Sequence, residues 1–482
     1  MRRGPPCRAS VTRCRVASGG VAVASTTEGA TRAKPVRRIH VPEKLRNLEL
    51  FLLLFACLVN AGAVVLVQLG AEGAVDYGQV ALLGAGLSVL VIGAHIALRF
   101  VAPNADPFIL PIATLLNGIG IAEIYRIDLQ IPGSTGWDST AVRQVVWSAI
   151  AIIAALVVIV ALRNHRVLQR YTYVFMALSG VLLVLPLLPG IGKEIYGARV
   201  WIGIGPLSFQ PGEVAKIALA IFFAGYLVSR RDSLSAVGRK FLGMRFPRGR
   251  DLGPILVIWA ASMSVIIFQR DLGTALLYFG LFVVMIYVAT ARLSWVIIGV
   301  GLFLGGALIA SRVLVYVNDR FSNWLDPFST TNYDAQGGSY QLVQGLFGLA
   351  NGGLIGTGLG QGQPDITPLA QSDYIVASLG EELGMAGLFA ILALYLLFIA
   401  RGLRISFAGN DDFGRLLGIG LTFVIALQCF IVIGGVTRVI PLTGLTTPFL
   451  AAGGSSLVAN WIIVALLLRL SDTVRNQPRL VV

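Results

Sequence analysis

Stretches of mainly apolar residues, each roughly 20 residues long, recur along this chain, and that is the length a helix needs to cross a hydrocarbon core of about 30 Å. Lipid offers no hydrogen-bonding partner to backbone amides and carbonyls, so such stretches have to be helical. Twelve spans are expected, at 49–70, 78–100, 107–125, 145–162, 172–190, 214–229, 252–269, 273–290, 293–312, 376–400, 416–436 and 450–470. The one at 214–229 is short, so an earlier start or a tilt is expected. Composition excludes a soluble fold: hydrophobic residues make up 56% and charged residues only 13%, against about 25% charged in soluble proteins. The expected fold is an all-α polytopic integral membrane protein. Its parts are a basic arm (1–48), an accessory pair of spans (49–106), a ten-span core (107–470) and a short tail (471–482). No internal repeat is evident, which disfavours a transporter built from two matching halves.

Charge orients the chain. Of the net charge of +14, most sits in the N-terminal arm, where eleven Lys and Arg from Arg2 to Arg46 face only Glu28 and Glu43. The connections with Arg163, Arg166 and Arg170, with Arg230 to Arg250, and with Arg401, Arg404 and Arg415 fall on the same side when twelve spans are threaded. So does the tail with Arg475 and Arg479. By the positive-inside rule this side is cytoplasmic, both termini included. The arm suits an anionic leaflet better than nucleic acid; its Arg-rich, acid-poor composition also fits, less well, an organellar transit peptide. Cys7, Cys14, Cys57 and Cys429 form no framework, and His40, His95 and His165 are scattered on the cytoplasmic side, so no metal site is expected.

The unusual residues gather on the outer face. Residues 313–375 form a connection far above the usual loop length, semi-apolar and Gly-rich in its middle, with partly re-entrant character. Its glycines (Gly352, Gly353, Gly356, Gly358, Gly360, Gly362) lack the strand and Gly-Lys-Ser/Thr of a nucleotide loop. They suit tight turns and close packing, or amides lining the path of an anion. Asp373 ends the segment just before a span. The simplest reading is a helix cap; the functional one is a general base at the mouth of a cavity, taking a proton from a sugar hydroxyl. Glu381 and Glu382 follow within that span, where at least one is expected to be paired or functional.

Three further outer segments stand out. Residues 192–220 combine Arg199, Trp201, Gln210, Glu213 and Lys216. Glu213 and Lys216 are spaced to pair on one helix face, while Arg199 and Lys216 are candidates for holding a phosphate. In the turn 268–275, Asp271 is placed to cap the next helix or to pair with Arg270. Pro441, Pro448 and the Gly/Ser cluster of 440–456 predict a broken or re-entrant helix.

Together, DPFILPIATLLNGIGIAEIYRID, GARVWIGIGPLSFQPGEVAK, QRDLGTA, the WLDPF, YQLVQ and GGLIGTGLGQG run, SDYIVASLGEELG and PLTGLTTPFLAAGGSS resemble the SEDS family (shape, elongation, division and sporulation) over roughly 107–470. The two extra N-terminal spans resemble its RodA branch in high-GC Gram-positive bacteria. The resemblance implies a peptidoglycan glycosyltransferase of the bacterial cytoplasmic membrane that polymerises lipid II outside the membrane during elongation. Implied partners are lipid II, a lipid-linked glycan chain and a class B penicillin-binding protein. The family's catalytic aspartate falls on Asp373 within QSDYIVA, with Gln371, Ser372 and Tyr374 departing from the usual flanks. Substrate-binding roles are implied for Arg199, Trp201, Gln210, Glu213, Lys216, Arg320, Gln344 and Glu382, with Val200 inserted between the Arg and Trp of the family's motif. No obligatory cofactor is implied; a divalent cation (Mg or Mn) is an option beside the leaving pyrophosphate. Three alternatives stay open: a lipid flippase or transporter, a scaffold that only positions a synthase, and a divisome FtsW-like paralogue.

Overall fold

The computed structural model describes residues 44–476, apart from 135, 196, 205–206, 235–239, 242–243, 246–252 and 336. The basic arm through residue 43, part of the 230–251 connection and the end of the tail lie outside the described residues.

Fourteen helices carry the described fold. They are α1 (Lys44–Glu72), α2 (Tyr77–Val101), α3 (Ile109–Asp128), α4 (Thr140–Ala161), α5 (Thr172–Leu187), α6 (Pro211–Leu234), α7 (Gly253–Gln269), α8 (Leu272–Thr290) and α9 (Leu293–Val313). They continue with α10 (Val315–Leu325), α11 (Tyr340–Gly352), α12 (Ile375–Phe407), α13 (Asp412–Val436) and α14 (Gly454–Arg475). Ten are long and apolar enough to span a bilayer, and the shorter apolar helices α5 and α7 stand where the fifth and seventh spans were expected. The short span expected at 214–229 is longer, because α6 starts at Pro211, a residue well suited to a helix's first turn. Asp271 resolves as a cap: its carboxylate accepts from the Thr274 N–H at 2.9 Å.

Burial sorts the spans. The three of lowest mean hydropathy, α3, α6 and α14, have 89%, 72% and 78% of their apolar windows buried, against 28% for α9. A less apolar span is viable where protein rather than lipid surrounds it. Thus α3, bearing Thr114, Asn117, Glu123, Arg126 and Asp128 on buried positions, is central, and α9 faces outward. The accessory pair packs on this centre. Asn60 of α1 donates to the Thr114 carbonyl and Gln68 to the Tyr125 hydroxyl, each at 3.0 Å. At one end of the bundle Asp106, just before α3, accepts from Arg401 near the end of α12 and from Arg475 at the end of α14. Arg46, near the start of α1, reaches the neighbouring Pro103 and Ala105 carbonyls.

One element is new and two expectations change. Residues 192–209 form a three-stranded antiparallel sheet, β1 (Gly192–Ile195), β2 (Ala198–Ile204) and β3 (Leu207–Phe209), with Lys193 opposite Trp201 and Ile202 opposite Phe209. The last span begins at Gly454 rather than 450, and residues 441–447 before it form no helix at all, because Pro441 and Pro448 bracket the segment and deny it helical amides. Finally, α12 is interrupted at Gly384 (φ 68°, ψ −174°). That conformation suits glycine, and a Cβ there would meet the Gly356 nitrogen at 2.3 Å.

Lys216 is fully buried in the centre. Its ammonium donates to Glu213, to Gln428 Oε1 of α13 at 2.8 Å and to Asn460 Oδ1 of α14 at 3.2 Å. Three acceptors use all three donors, so this cluster joins three spans. Lys216→Met strands Glu213 without its counter-ion, and should cost about 3–5 kcal/mol, read as a lowered Tm of the detergent-solubilised protein. The double substitution with Glu213→Gln should recover much of the loss. A double variant no more stable than the single one would refute this pairing.

Candidate active site

The N-terminal end of α12 and the irregular segment 440–453 come together around Asp373. The Gln371 carbonyl accepts from the Ala452 N–H at 2.8 Å. Gly444, in the left-handed region at φ 77°, turns the chain so that a Cβ there would lie only 3.7 Å from Asp373 Oδ2. Asp373 is not a cap: Tyr374 is the residue flanking α12, and no side-chain bond closes that helix end. Burial pushes the Asp373 carboxyl up to about 6. The positive charge of Arg320 and the Ser372 side chain pull it down, and Asp271 adds a smaller upward push. The group is therefore ionised at neutral pH yet a stronger base than a free carboxylate, the range suited to general-base work.

Arg320 belongs to α10, an amphipathic helix tied to the segment after α13. Trp324 Nε1 donates to the Arg438 carbonyl at 3.1 Å, and the Arg438 guanidinium returns bonds to the Trp324 and Leu325 carbonyls at 2.9 and 2.8 Å. Arg320 also lines a cavity of about 530 Å³ enclosed by α7, α8, α9, α10, α13 and residues 439–443. Its walls are nearly all apolar, including Trp259, Phe279, Phe303, Leu308 and Phe430. One guanidinium in the lining of an apolar cavity, with a carboxylate under its charge, suits a ligand with an apolar tail and an anionic group.

The other candidate residues divide. Arg199, exposed on β2, bonds Glu194 Oε2 of β1 at 2.8 Å, and that bond and charge hold the Glu194 carboxyl below its usual range. Trp201 lies on the same strand, half-buried. The Gln210 N–H donates to Ser455 Oγ at 2.9 Å, joining the sheet's end to the start of α14. Gln344 of α11 donates to the Tyr333 hydroxyl at 3.0 Å. Three residues have partners within the chain. Lys216 donates to Glu213, Gln428 and Asn460. Glu382 is spent on Arg126 Nε at 2.9 Å and on the Gly360 and Gly362 amides at 2.9 and 3.2 Å. These two amides, with those of Thr357 and Gly358 bonded to the Glu381 and Glu382 carbonyls, serve the chain's own groups rather than an anion's path. Among the described residues no cluster of three His, Cys, Asp or Glu is placed to hold a metal ion.

Sequence reading missed Arg126, Gly444, Gln428 and Asn460. Arg126 carried a signal, an arginine at the end of an apolar span, but Glu123 three residues before it offered a local partner in place of the distant one. Gln428 and Asn460 signalled only as amides within spans. Nothing in the sequence marks Gly444 among its neighbours.

Comparison with known proteins agrees with this architecture. The FtsW/RodA/SpoVE family of cell cycle proteins matches residues 106–476. The "Peptidoglycan glycosyltransferase RodA" of Mycobacterium tuberculosis is 45% identical, covering 90% of this chain and 92% of that protein. The protein of the same description in Mycobacterium leprae is also 45% identical, over 93% and 95%. "Stage V sporulation protein E" of Bacillus subtilis is 33% identical over 76% and 97%. In fold, the chain resembles a variant of the Rod shape determining protein RodA of Thermus thermophilus, with a TM-score of 0.54 and 24% identity over 76% of this chain and 97% of that one. It also resembles a chain of a peptidoglycan synthase complex, with a TM-score of 0.52 and 24% identity over 83% and 98%. The chain belongs to the FtsW/RodA/SpoVE family.

Proposed function

We propose that this chain is a peptidoglycan glycosyltransferase that polymerises lipid II, working in the cytoplasmic membrane with Asp373 on the extracytoplasmic face and both termini inside. The observation that carries the reading is Asp373 under the charge of Arg320, an arginine that also lines the apolar cavity. A substrate with a polyprenyl tail and a pyrophosphate has the chemistry of that arrangement, tail against apolar walls and phosphate against guanidinium. The relatives' names supply the reaction class, and the basic connections support the orientation.

Asp373 accepts the proton of an acceptor sugar hydroxyl. That oxygen attacks the anomeric carbon of the lipid-linked donor as the carbon–oxygen bond to pyrophosphate breaks. The pyrophosphate leaves with the bonding electrons, its charge met by Arg320. One base suffices, because the leaving group is already activated. A class B penicillin-binding protein, which cross-links the product, is the proposed partner.

The test is polymerisation of fluorescent lipid II in liposomes by the purified protein with its partner synthase. Asp373→Asn should lower the rate by about 10²–10⁴-fold in folded protein. Undiminished polymer would sink the base assignment, and lipid movement without polymer would favour transport. Because a raised carboxyl is protonated below its pKa and idle there, the wild-type rate should fall about tenfold per pH unit below about 6. A second expectation concerns the cavity. Ala307→Trp, which fills it from α9, should raise KM for lipid II by roughly tenfold through overpacking. An unchanged KM would place the lipid tail elsewhere.

A further inference from the structure

The interruption of α12 at Gly384 divides that helix in two. The outer piece, residues 375–383, starts two positions after Asp373, so whatever fixes this piece fixes the carboxylate. Its carbonyls at Glu381 and Glu382 have no helical donors beyond the break. They accept instead from the Thr357 and Gly358 amides at 3.0 and 2.9 Å. Past the break, the Met385 and Ala386 amides donate to the Gly353 and Leu354 carbonyls at 2.9 and 3.0 Å. The outer piece and the glycine-rich chain 353–363 thus form one bonded body, further joined by Glu381, which accepts from Asn351 and the Gln363 amide.

Two side-chain ties run from this body to α3, the most buried span. One is the Ser378 hydroxyl on Glu123. The other is Arg126, which holds Glu382 Oε1 at 2.9 Å through Nε and the Gly362 carbonyl at 2.6 Å through Nη2. Arg126 and Glu382 are both almost fully buried. Each Glu382 oxygen already accepts from an amide of the glycine-rich chain, so the carboxylate has little capacity left for a substrate. A guanidinium fork that grips a side chain and a backbone carbonyl at once fixes orientation as well as distance.

We infer that Arg126 and Glu382 are positioning residues for Asp373: they clamp the outer piece of α12 and the glycine-rich chain to α3 and so set where the carboxylate meets the acceptor hydroxyl. Neither touches the reacting atoms. The inference rests on the polymerase reading above and deepens it. It also replaces the substrate-binding role expected of Glu382.

The test keeps the charges so that folding is spared. Glu382→Asp withdraws the carboxylate by one methylene, and Arg126→Lys removes the fork, since a single ammonium is a point charge without that geometry. In the lipid II assay with the partner synthase, each should lower kcat by on the order of 10²-fold, the cost of about 1 Å of misplacement. KM for lipid II should stay within about twofold, and the acid limb of the pH–rate profile should move from its wild-type place, because Asp373 sits differently under the charge of Arg320. A raised KM at unchanged kcat would overturn the inference in favour of direct substrate contact. A loss of kcat matched by an equal loss of folded protein, with the acid limb unmoved, would reduce the pair to a structural brace and overturn it too. Unaltered kinetics in both variants would do the same. A wild-type protein without polymerase activity, or an Asp373→Asn variant with full activity, would overturn the polymerase reading itself and this inference with it.

Discussion

A helix inside a bilayer cannot be broken without exposing amides and carbonyls that lipid will not solvate, and the chain that follows Asp373 contains one such break. At Gly384 the chain leaves helical geometry, and the freed groups on both sides of it are taken up by residues 353–358. Gly356, with φ 92° and no room for a Cβ beside the Glu382 carbonyl, brings that strand of chain close enough. The glycine-rich segment is therefore a patch on a broken helix. Its composition follows from the need for backbone to approach backbone, and no nucleotide or free anion has to be invoked.

The same shortage of solvation governs the charges. Lys216 and Arg126 lie within the bundle, where an isolated charge would be costly, and each bonds acceptors drawn from distant parts of the sequence, Lys216 with the local Glu213 as well. Such clusters contribute little net stability compared with apolar packing of the same volume. What they add is directionality: an ammonium with three fixed acceptors, or a guanidinium with two, permits one arrangement of the spans that carry them. In this way α6, α13 and α14 are registered by Lys216, and α3 with the outer piece of α12 by Arg126. Of the titratable groups in the bundle, Lys216 uses its three donors and both Glu382 oxygens accept hydrogen bonds.

How much of this could be read from the sequence depends on the range of the interaction. Spans follow from local hydropathy, and all twelve expected places hold apolar helices, although ends moved where a proline or glycine outweighed the apolar run. The Glu213–Lys216 pair was legible because its spacing is local. Its completion by Gln428 and Asn460 was not, for they lie 212 and 244 residues from Lys216. Arg126 and Glu382, 256 residues apart, are an ion pair that no periodicity predicts. The β1–β3 sheet escaped notice because its strands are short and their alternation is blurred by glycine. Asp373 shows the opposite limit: its place before a helix was evident, but whether it capped that helix depended on geometry, and the geometry leaves the helix end uncapped.

The position of the cavity bears on what kind of substrate this site can use. One of its walls is α9, whose apolar window is only 28% buried, so bilayer lies on the far side of a single helix. A soluble sugar nucleotide would gain nothing from such a cavity and would have to desolvate its charges to enter it. A polyprenyl chain, already in the membrane, moves from lipid to apolar protein at little cost in solvation. Selectivity then falls to the few polar groups near it: Arg320 in the lining and Asp373 under that guanidinium's charge, with Gly444 turning the chain close to the carboxylate. On the proposed reading, a guanidinium suited to phosphate and a carboxylate suited to a hydroxyl donor select among lipid-anchored molecules by their head groups.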